Sequence, residues 1–390
     1  VPYYRRTWAG LYQPGEPLTP GRFGRLPVFA RGELQAGFDD LKSAAVPSQH
    51  GAVTEVRTSG STGQPVRLLK TSLTDLIWQA ILLREHHWFG RDLQAKVAAI
   101  RQGVTEDEAD GWGPEATVFR TGRLATLGIR ADVDAQLAWL ERQQPECLLT
   151  YPSNADALAR AALARGIRLP KLREIRTFGE LLGPDTRALC REAWGAPVTD
   201  SYSSVESGYI ALQCPRHEHY HVQSESVLLE ILDEQGGACA PGKMGRVVVT
   251  TLHNFALPLV RYDTGDFAEV GAPCPCGRGL PVLNRIVGRA RNMLVTASGA
   301  QYWPRFGSRR FREIAPVRQF QFVQKTFDTI EARFVAEAPL TADQEERLRG
   351  DILAQLPAGL RLTFSYVGEI ARSTGGKFED FVSEVGSRRV

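Results

Sequence analysis

The chain has 390 residues, 43% of them hydrophobic and 23% charged, with a formal net charge of +3; this length invites two domains, and the composition is that of a soluble globular protein. Without a lysine-rich block or RNA-binding aromatic signatures, nucleic acid is excluded as the default partner, and no apolar run reaches membrane-spanning length. Six cysteines without a secretory signal point to a reducing, cytoplasmic compartment, and the abrupt VPYYRRTW opening is compatible with a natural chain that extends further upstream.

No internal repeat or low-complexity tract interrupts the chain. Residues 72–89 carry Leu76, Ile77, Ala80, Ile81 and Leu83 at helical spacing and predict a helix. VAAI at 97–100 predicts a buried strand, 132–145 an amphipathic helix, CLLTY from Cys147 a second buried strand and 154–165 a third helix. EIRTFGE reads as a strand ending at Gly179, followed by a helix over 184–194. This alternation predicts an α/β architecture with a partly parallel sheet. From about residue 226, VLLEIL, GRVVVTTL and FAEV are short β segments between glycine turns. After residue 290, QFQFVQ, TIEARFV, a helix at 341–356 and LRLTFSYV follow in β–β–α–β order, which suits a compact module. The expected fold is α/β: a large N-terminal multi-sheet domain (1–290) with a β subdomain, plus a small C-terminal α+β lid domain (291–390). The boundary falls near 288–298, where Gly288, Asn292 and Ser298–Gly299 form the expected pivot.

The most informative stretch is Thr58-Ser59-Gly60-Ser61-Thr62-Gly63-Gln64-Pro65. Its hydroxyls and backbone N–H groups are suited to wrapping a polyphosphate, although the spacing is not that of a Walker loop. Alone, it reads rather as a solvated linker. It is followed, in order, by Gly179-Glu180, by Asp200-Ser201-Tyr202-Ser203-Ser204-Val205-Glu206-Ser207-Gly208, by Arg261-Tyr262-Asp263-Thr264-Gly265-Asp266, by Gly288-Arg289 and by Gly375-Gly376-Lys377.

This order of motifs resembles the adenylate-forming (acyl-CoA synthetase-like) superfamily, most closely its phenylacetate–CoA ligase branch, over nearly the whole chain. The resemblance implies that Thr58–Gly63 hold the β- and γ-phosphates of ATP and that Glu206 is a Mg²⁺ ligand. It implies that Gly179, Glu180, Tyr202 and the adjoining Ser203 line the nucleotide, and that Asp266 accepts hydrogen bonds from the ribose hydroxyls. It further implies that Arg289 supports ribose or phosphate and that Lys377 bridges the substrate carboxylate and the α-phosphate. A lysine suits that task, because a fixed cation stabilises an anionic transition state selectively. The bland readings are a tail lysine for Lys377, a turn aspartate for Asp266 and a surface carboxylate for Glu206.

Three positions depart from the family pattern. Ser203 replaces the glycine after the motif tyrosine, Val205 replaces the hydroxyl residue before the glutamate (so one polar contact near the α-phosphate is missing unless Ser204 supplies it), and Asn292 stands where an aspartate pivot is usual. They point to a specialised member, with adenylation retained and the second half-reaction less constrained.

Cys274-Pro-Cys276-Gly-Arg278, and Cys214 seven residues before His221, have the spacing of a tetrahedral structural Zn²⁺ site on two short loops. Some phenylacetate–CoA ligase relatives carry a similar Cys…His…Cys-x-Cys arrangement. His217 and His219 compete with His221, and the alternative is reduced, buried cysteines. Tyr151, Phe178 and Tyr202 either line an acid pocket suited to a flat aromatic acid or serve as packing aromatics. The expected partners are a small carboxylic acid, aromatic or arylalkyl, and then CoA or a carrier-protein thiol, with neither nucleic acid nor membrane. A nitrogen or other non-CoA acceptor, and a degenerate nucleotide-binding subunit, are the alternatives.

Overall fold

The structure is a computed structural model that describes residues 1–385 except 14, 59–64, 114, 115, 117, 118, 184 and 305. Its contacts divide the chain into two compact units. One comprises Val1–Leu93, Thr117–Phe119 and Ser201–Val287, the other Gln94–Ala116, Arg120–Asp200 and Gly288–Val390.

In the first unit the strands Val227–Leu232, Met244–Thr251, Tyr262–Val270, Val282–Arg289 (as far as Val287), Tyr220–Val222 and Gly208–Gln213 lie side by side in that order. Their β-branched residues alternate toward a core of Ile210, Val222, Val227, Val247, Val249 and Leu283, as expected of an antiparallel sheet with one packed face. Phe29–Ala30 adds in parallel to Tyr262 and Asp263. A hairpin pairs Val53–Arg57 with Arg67–Thr71. The helix Ser72–Trp88 follows it, started by a capping box in which the Thr71 side chain accepts from Thr74 N–H and the Thr74 side chain from Thr71 N–H. That helix buries Ile81 and Leu82 against Tyr209 and Leu212.

In the second unit the strands Glu174–Phe178, Cys147–Thr150, Val97–Arg101 and Leu124–Gly128 are parallel neighbours, and Asp107–Ala109 is an antiparallel edge. The central strand Val97–Arg101 is buried over its first four residues, as a parallel strand covered on both faces requires. The helix Pro152–Arg165 starts with proline in its first turn and stops at Gly166 in the left-handed conformation. The helices contribute Leu137, Trp139, Leu140, Leu158 and Cys190 to one core with Leu148 and Ile175.

The same unit contains a four-stranded sheet in the order Arg361–Tyr366, Thr329–Ala336, Val317–Thr326, Phe381–Ser383. Its two central strands are antiparallel and both edges are parallel. The helices Ser308–Ile314 and Ala342–Ala354 close a separate core of Phe306, Phe311, Phe322, Phe334, Leu348, Ile352 and Phe381.

The expected helices and strands are all present, with ends shifted by a few residues. The division by contacts differs from one at residue 290, because 94–116 and 120–200 cluster with 288–390. Bonds such as Phe378 N–H to Glu180 and Arg309 N–H to Asp185 tie those segments together. Among the described residues no helix is long and apolar enough to cross a membrane.

Candidate functional site

Within the first unit, the start of the Ser/Thr/Gly stretch meets the motif glutamate through a residue that the sequence did not single out. Arg31 donates from Nη1 to Glu206 Oε1 at 2.7 Å and from Nη2 to Thr58 Oγ1 at 3.2 Å. The Glu206 side chain is only 9% exposed, so the pair is a partly desolvated ion pair, in which loss of either partner is costly. Thr58 is fixed further by Val66 N–H, which donates to Oγ1 at 2.9 Å. Lys70 lies close enough to feel the Glu206 charge. Burial lowers its pKa, and Asp75 and Glu206 oppose that effect. Ser59, Gly60, Ser61, Thr62 and Gly63 lie outside the described residues.

Tyr202 and Asp266 are on separate strands of this unit, and the Tyr202 hydroxyl donates to Asp266 Oδ2 at 2.6 Å. The distance is that of a strong, charge-assisted bond. It fixes one carboxylate oxygen and orients the other. Ser203 pairs with Tyr209 in the ladder. Ser204 Oγ accepts from Ser207 N–H at 3.0 Å, so this hydroxyl is engaged in the turn.

The cysteine–histidine cluster is also in the first unit. Ligand atoms of Cys214, His219, His221 and Cys274 all lie within 4.8 Å of one another. Cys214 Sγ is 4.0 Å from Cys274 Sγ, and Cys276 Sγ is 3.3 Å from His221 Nε2. Ligands around a tetrahedral zinc lie ~3.3–3.8 Å apart, given Zn–S and Zn–N bonds of about 2.3 and 2.0 Å. The four mutually close donors are thus Cys214, His219, His221 and Cys274; His219 stands in the set where spacing pointed to Cys276, which adjoins it through His221, while His217 stacks on His219 at 5.0 Å. Burial, with the His219 and Arg278 charges, pushes His221 down to about 4, keeping the imidazole neutral. Burial pushes Cys274 up to about 11. Burial also opposes ionisation of Cys276, but hydrogen bonds from the Arg278 backbone and side chain bring it down to about 7. All six cysteines are free thiols.

In the second unit, Gly179 ends the strand Glu174–Phe178 at φ +77°. A Cβ built there meets Lys377 Cε at 3.3 Å, Lys377 Nζ at 3.5 Å and Tyr151 Cε1 at 3.6 Å. The lysine thus lies along bare backbone that only glycine leaves open. Tyr151 is 4% exposed and packs in the core with Phe178, ring centroids 4.9 Å apart. Its hydroxyl accepts from Gln102 N–H at 3.3 Å. The Glu180 carboxylate is buried and committed to protein partners, accepting from Ser153 N–H at 3.0 Å, Phe378 N–H at 2.6 Å and Arg372 Nη1 at 3.2 Å.

Arg289 ends the strand Val282–Arg289, and its N–H donates to Asn292 Oδ1 at 3.3 Å. Asn292 Nδ2 in turn donates to Phe381 O at 2.7 Å and to Glu379 Oε1 at 3.3 Å. An aspartate at this position would offer two carbonyl-type acceptors no proton and face Glu379 with a like charge. That is a physical reason for the amide. Arg31 and Arg372 carry no local sequence signal, since their partners are 175 and 192 residues away.

No family model matches the chain. It is 25% identical to the phenylacetate-coenzyme A ligase of Thermus thermophilus, over 97% of this chain and 91% of that protein. It is 24% identical to the phenylacetate-coenzyme A ligase of Pseudomonas putida, over 76% and 67%. Among solved structures, 2-hydroxyisobutyryl-CoA ligase in the postadenylation state with 2-HIB-AMP superposes with a TM-score of 0.76 at 19% identity, covering 98% of this chain and 85% of that one; at that identity the likeness speaks for the fold. With the motif order and the fold in agreement, the chain is phenylacetate–CoA ligase-like in sequence and shares the fold of the adenylate-forming CoA ligases.

Proposed function

We propose that this protein activates a carboxylic acid, aromatic or arylalkyl, with ATP and passes the acyl group to CoA. The carboxylate oxygen attacks the α-phosphorus, the bond to the β-phosphate oxygen breaks, and pyrophosphate leaves. The CoA sulfur then attacks the acyl carbon of the adenylate, and AMP leaves. The observation that carries this reading is Lys377, whose ammonium group lies against the glycine at a strand end, beside Tyr151. The carboxyl ends of strands are where open α/β sheets bind ligands. A cation held there offsets the negative charge that develops as the phosphoryl bonds exchange.

In this reading Asp266, oriented by Tyr202, receives the ribose hydroxyls. Gly179 and the backbone at Glu180 face the adenine, Arg289 supports ribose or phosphate, and Thr58–Gly63 hold the outer phosphates. Glu206 would hold Mg²⁺, a cation that takes one or two carboxylates and otherwise substrate phosphates and water; it would supply charge neutralisation on the triphosphate. Cys214, His221, Cys274 and Cys276, with His219 as the competing donor, would hold a Zn²⁺ that ties two loops together, with no position open for catalysis. Residues 291–390, which contain their own core, form the small domain that carries the lysine. ATP and CoA as substrates, together with free thiols throughout, support a cytoplasmic setting.

Pyrophosphate exchange over a panel of aryl and arylalkyl acids tests the first half-reaction, and added CoA tests the second. Lys377→Ala is expected to lower acid-dependent exchange by at least ~10² while ATP still binds. Undiminished exchange in that variant would refute the role of this lysine.

A further inference from the structure

The loop that presents Lys377 is held down by charged groups that the chemistry itself does not require. Arg372 Nη1 donates to Ser153 Oγ at 2.9 Å, to Gly376 O at 3.1 Å and to Glu180 Oε1 at 3.2 Å. The same Glu180 oxygen accepts from Phe378 N–H at 2.6 Å, and its partner oxygen from Ser153 N–H at 3.0 Å. The loop is closed on itself by Ser373 N–H to Lys377 O and Gly376 N–H to Ser373 O, both 2.8 Å. Lys377 N–H donates to Ser373 Oγ at 3.2 Å.

The Glu180 side chain is 4% exposed and that of Arg372 24%. Burial raises the Glu180 pKa, and Arg372, then Ser153 and Phe378, oppose it. Of the donors to this carboxylate, Phe378 N–H and Arg372 belong to the loop, and Ser153 stays behind if the loop lifts away. A buried carboxylate left short of donors is strongly disfavoured, so the pair favours the docked loop.

We propose that Arg372 and Glu180 are positioning residues that dock residues 372–378 and thereby set the Lys377 ammonium at Gly179. This rests on the reading of Lys377 as the adenylation lysine. Neither residue touches the reacting atoms. They act on the rate by fixing where the lysine stands, and an error of about 1 Å in such a group costs ~10² in rate.

The test uses the full chain and the variants Arg372→Gln and Glu180→Gln, with hydrogen exchange as the readout that needs no substrate. Peptides covering 372–379 are expected to exchange at least about ten-fold faster in both variants, while those covering 317–326 stay unchanged. With phenylacetate as the probe acid, the pyrophosphate-exchange kcat of Arg372→Gln should fall at least about ten-fold with an unaltered KM for ATP. Thioester formation from synthetic phenylacetyl adenylate and CoA should persist. If Glu180→Gln does not fold, Arg372→Gln, at the more exposed partner, tests the same pair. Unchanged protection of 372–379 in Arg372→Gln overturns the docking role. Lost protection in a protein whose wild type shows no exchange activity upholds the docking and sinks the enzymatic reading instead.

Discussion

Gly376→Ala isolates the docking of the lysine loop from everything else in the protein. Gly376 has φ +75°, and a Cβ built on it lies 2.9 Å from Gln102 Cβ and 3.2 Å from Ile129 Cγ2. Carbon atoms rest at about 3.5–4.0 Å, so the loop must retreat by roughly 0.6–1 Å, because Gln102 Cβ is bound to the backbone and has no rotamer in which to escape. Lys377 is the next residue and moves with it. A displacement of that size costs ~30–100-fold in a positioned reaction, or about 2–3 kcal/mol of transition-state stabilisation. The left-handed conformation adds about 1–2 kcal/mol of strain, which registers in stability.

Gly359→Ala separates the two effects. Its φ is +88° with nothing within 4 Å of the built Cβ, so it carries the strain without the collision. The assay is acid-dependent pyrophosphate exchange beside thermal unfolding. Both variants should lose similar stability, and only Gly376→Ala should lose exchange. A Gly376→Ala enzyme within about three-fold of wild-type kcat refutes the argument that the position of this loop sets the rate.

Two further outcomes follow from the buried charges and the thiols. Asp380 is pushed up from 3.8 to about 6, by burial first and then by the neighbouring Glu180 and Glu379 charges. The folded state therefore binds a proton more tightly than the unfolded one, and the stability this gives is complete below pH 3.8 and lost as pH rises through about 6. Asp380→Asn removes the ionisation penalty, so it should stabilise the fold by up to about 3 kcal/mol at pH 8 and by little near pH 4; equal gains in urea unfolding at both values would contradict this. For the cysteine–histidine cluster, elemental analysis should find about one zinc per chain, and chelation should lower the melting temperature; a metal-free protein with an unchanged melting point removes the zinc assignment.

The local elements were legible because each is encoded within a few turns or strand repeats. VAAI from Val97 and CLLTY from Cys147 read as buried strands, and both are inner strands of the parallel sheet. QFQFVQ and TIEARFV likewise read as strands, and both are central strands of the four-stranded sheet. The candidate residues were legible through their motifs, which record chemistry that tolerates few alternatives. The cysteine spacing pointed to the cysteine–histidine cluster, but left open which of His217, His219 and His221 belongs to it, and the fold brings both His219 and His221 to Cys214 and Cys274.

What the sequence determined by itself is the identity and order of the chemical groups: a hydroxyl-rich stretch, a glutamate, an aspartate and a late lysine. Tertiary structure alone decided which partners hold them, because hydrogen bonds between residues far apart leave no periodic trace in either segment. Arg31 reaching Glu206, Asn292 serving Arg289 and Phe381, and Glu180 spent on Arg372 and Phe378 N–H all depend on chain reversals that bring distant backbone together. Each side chain is ordinary by composition, and its role arises only when burial removes water as the competing partner.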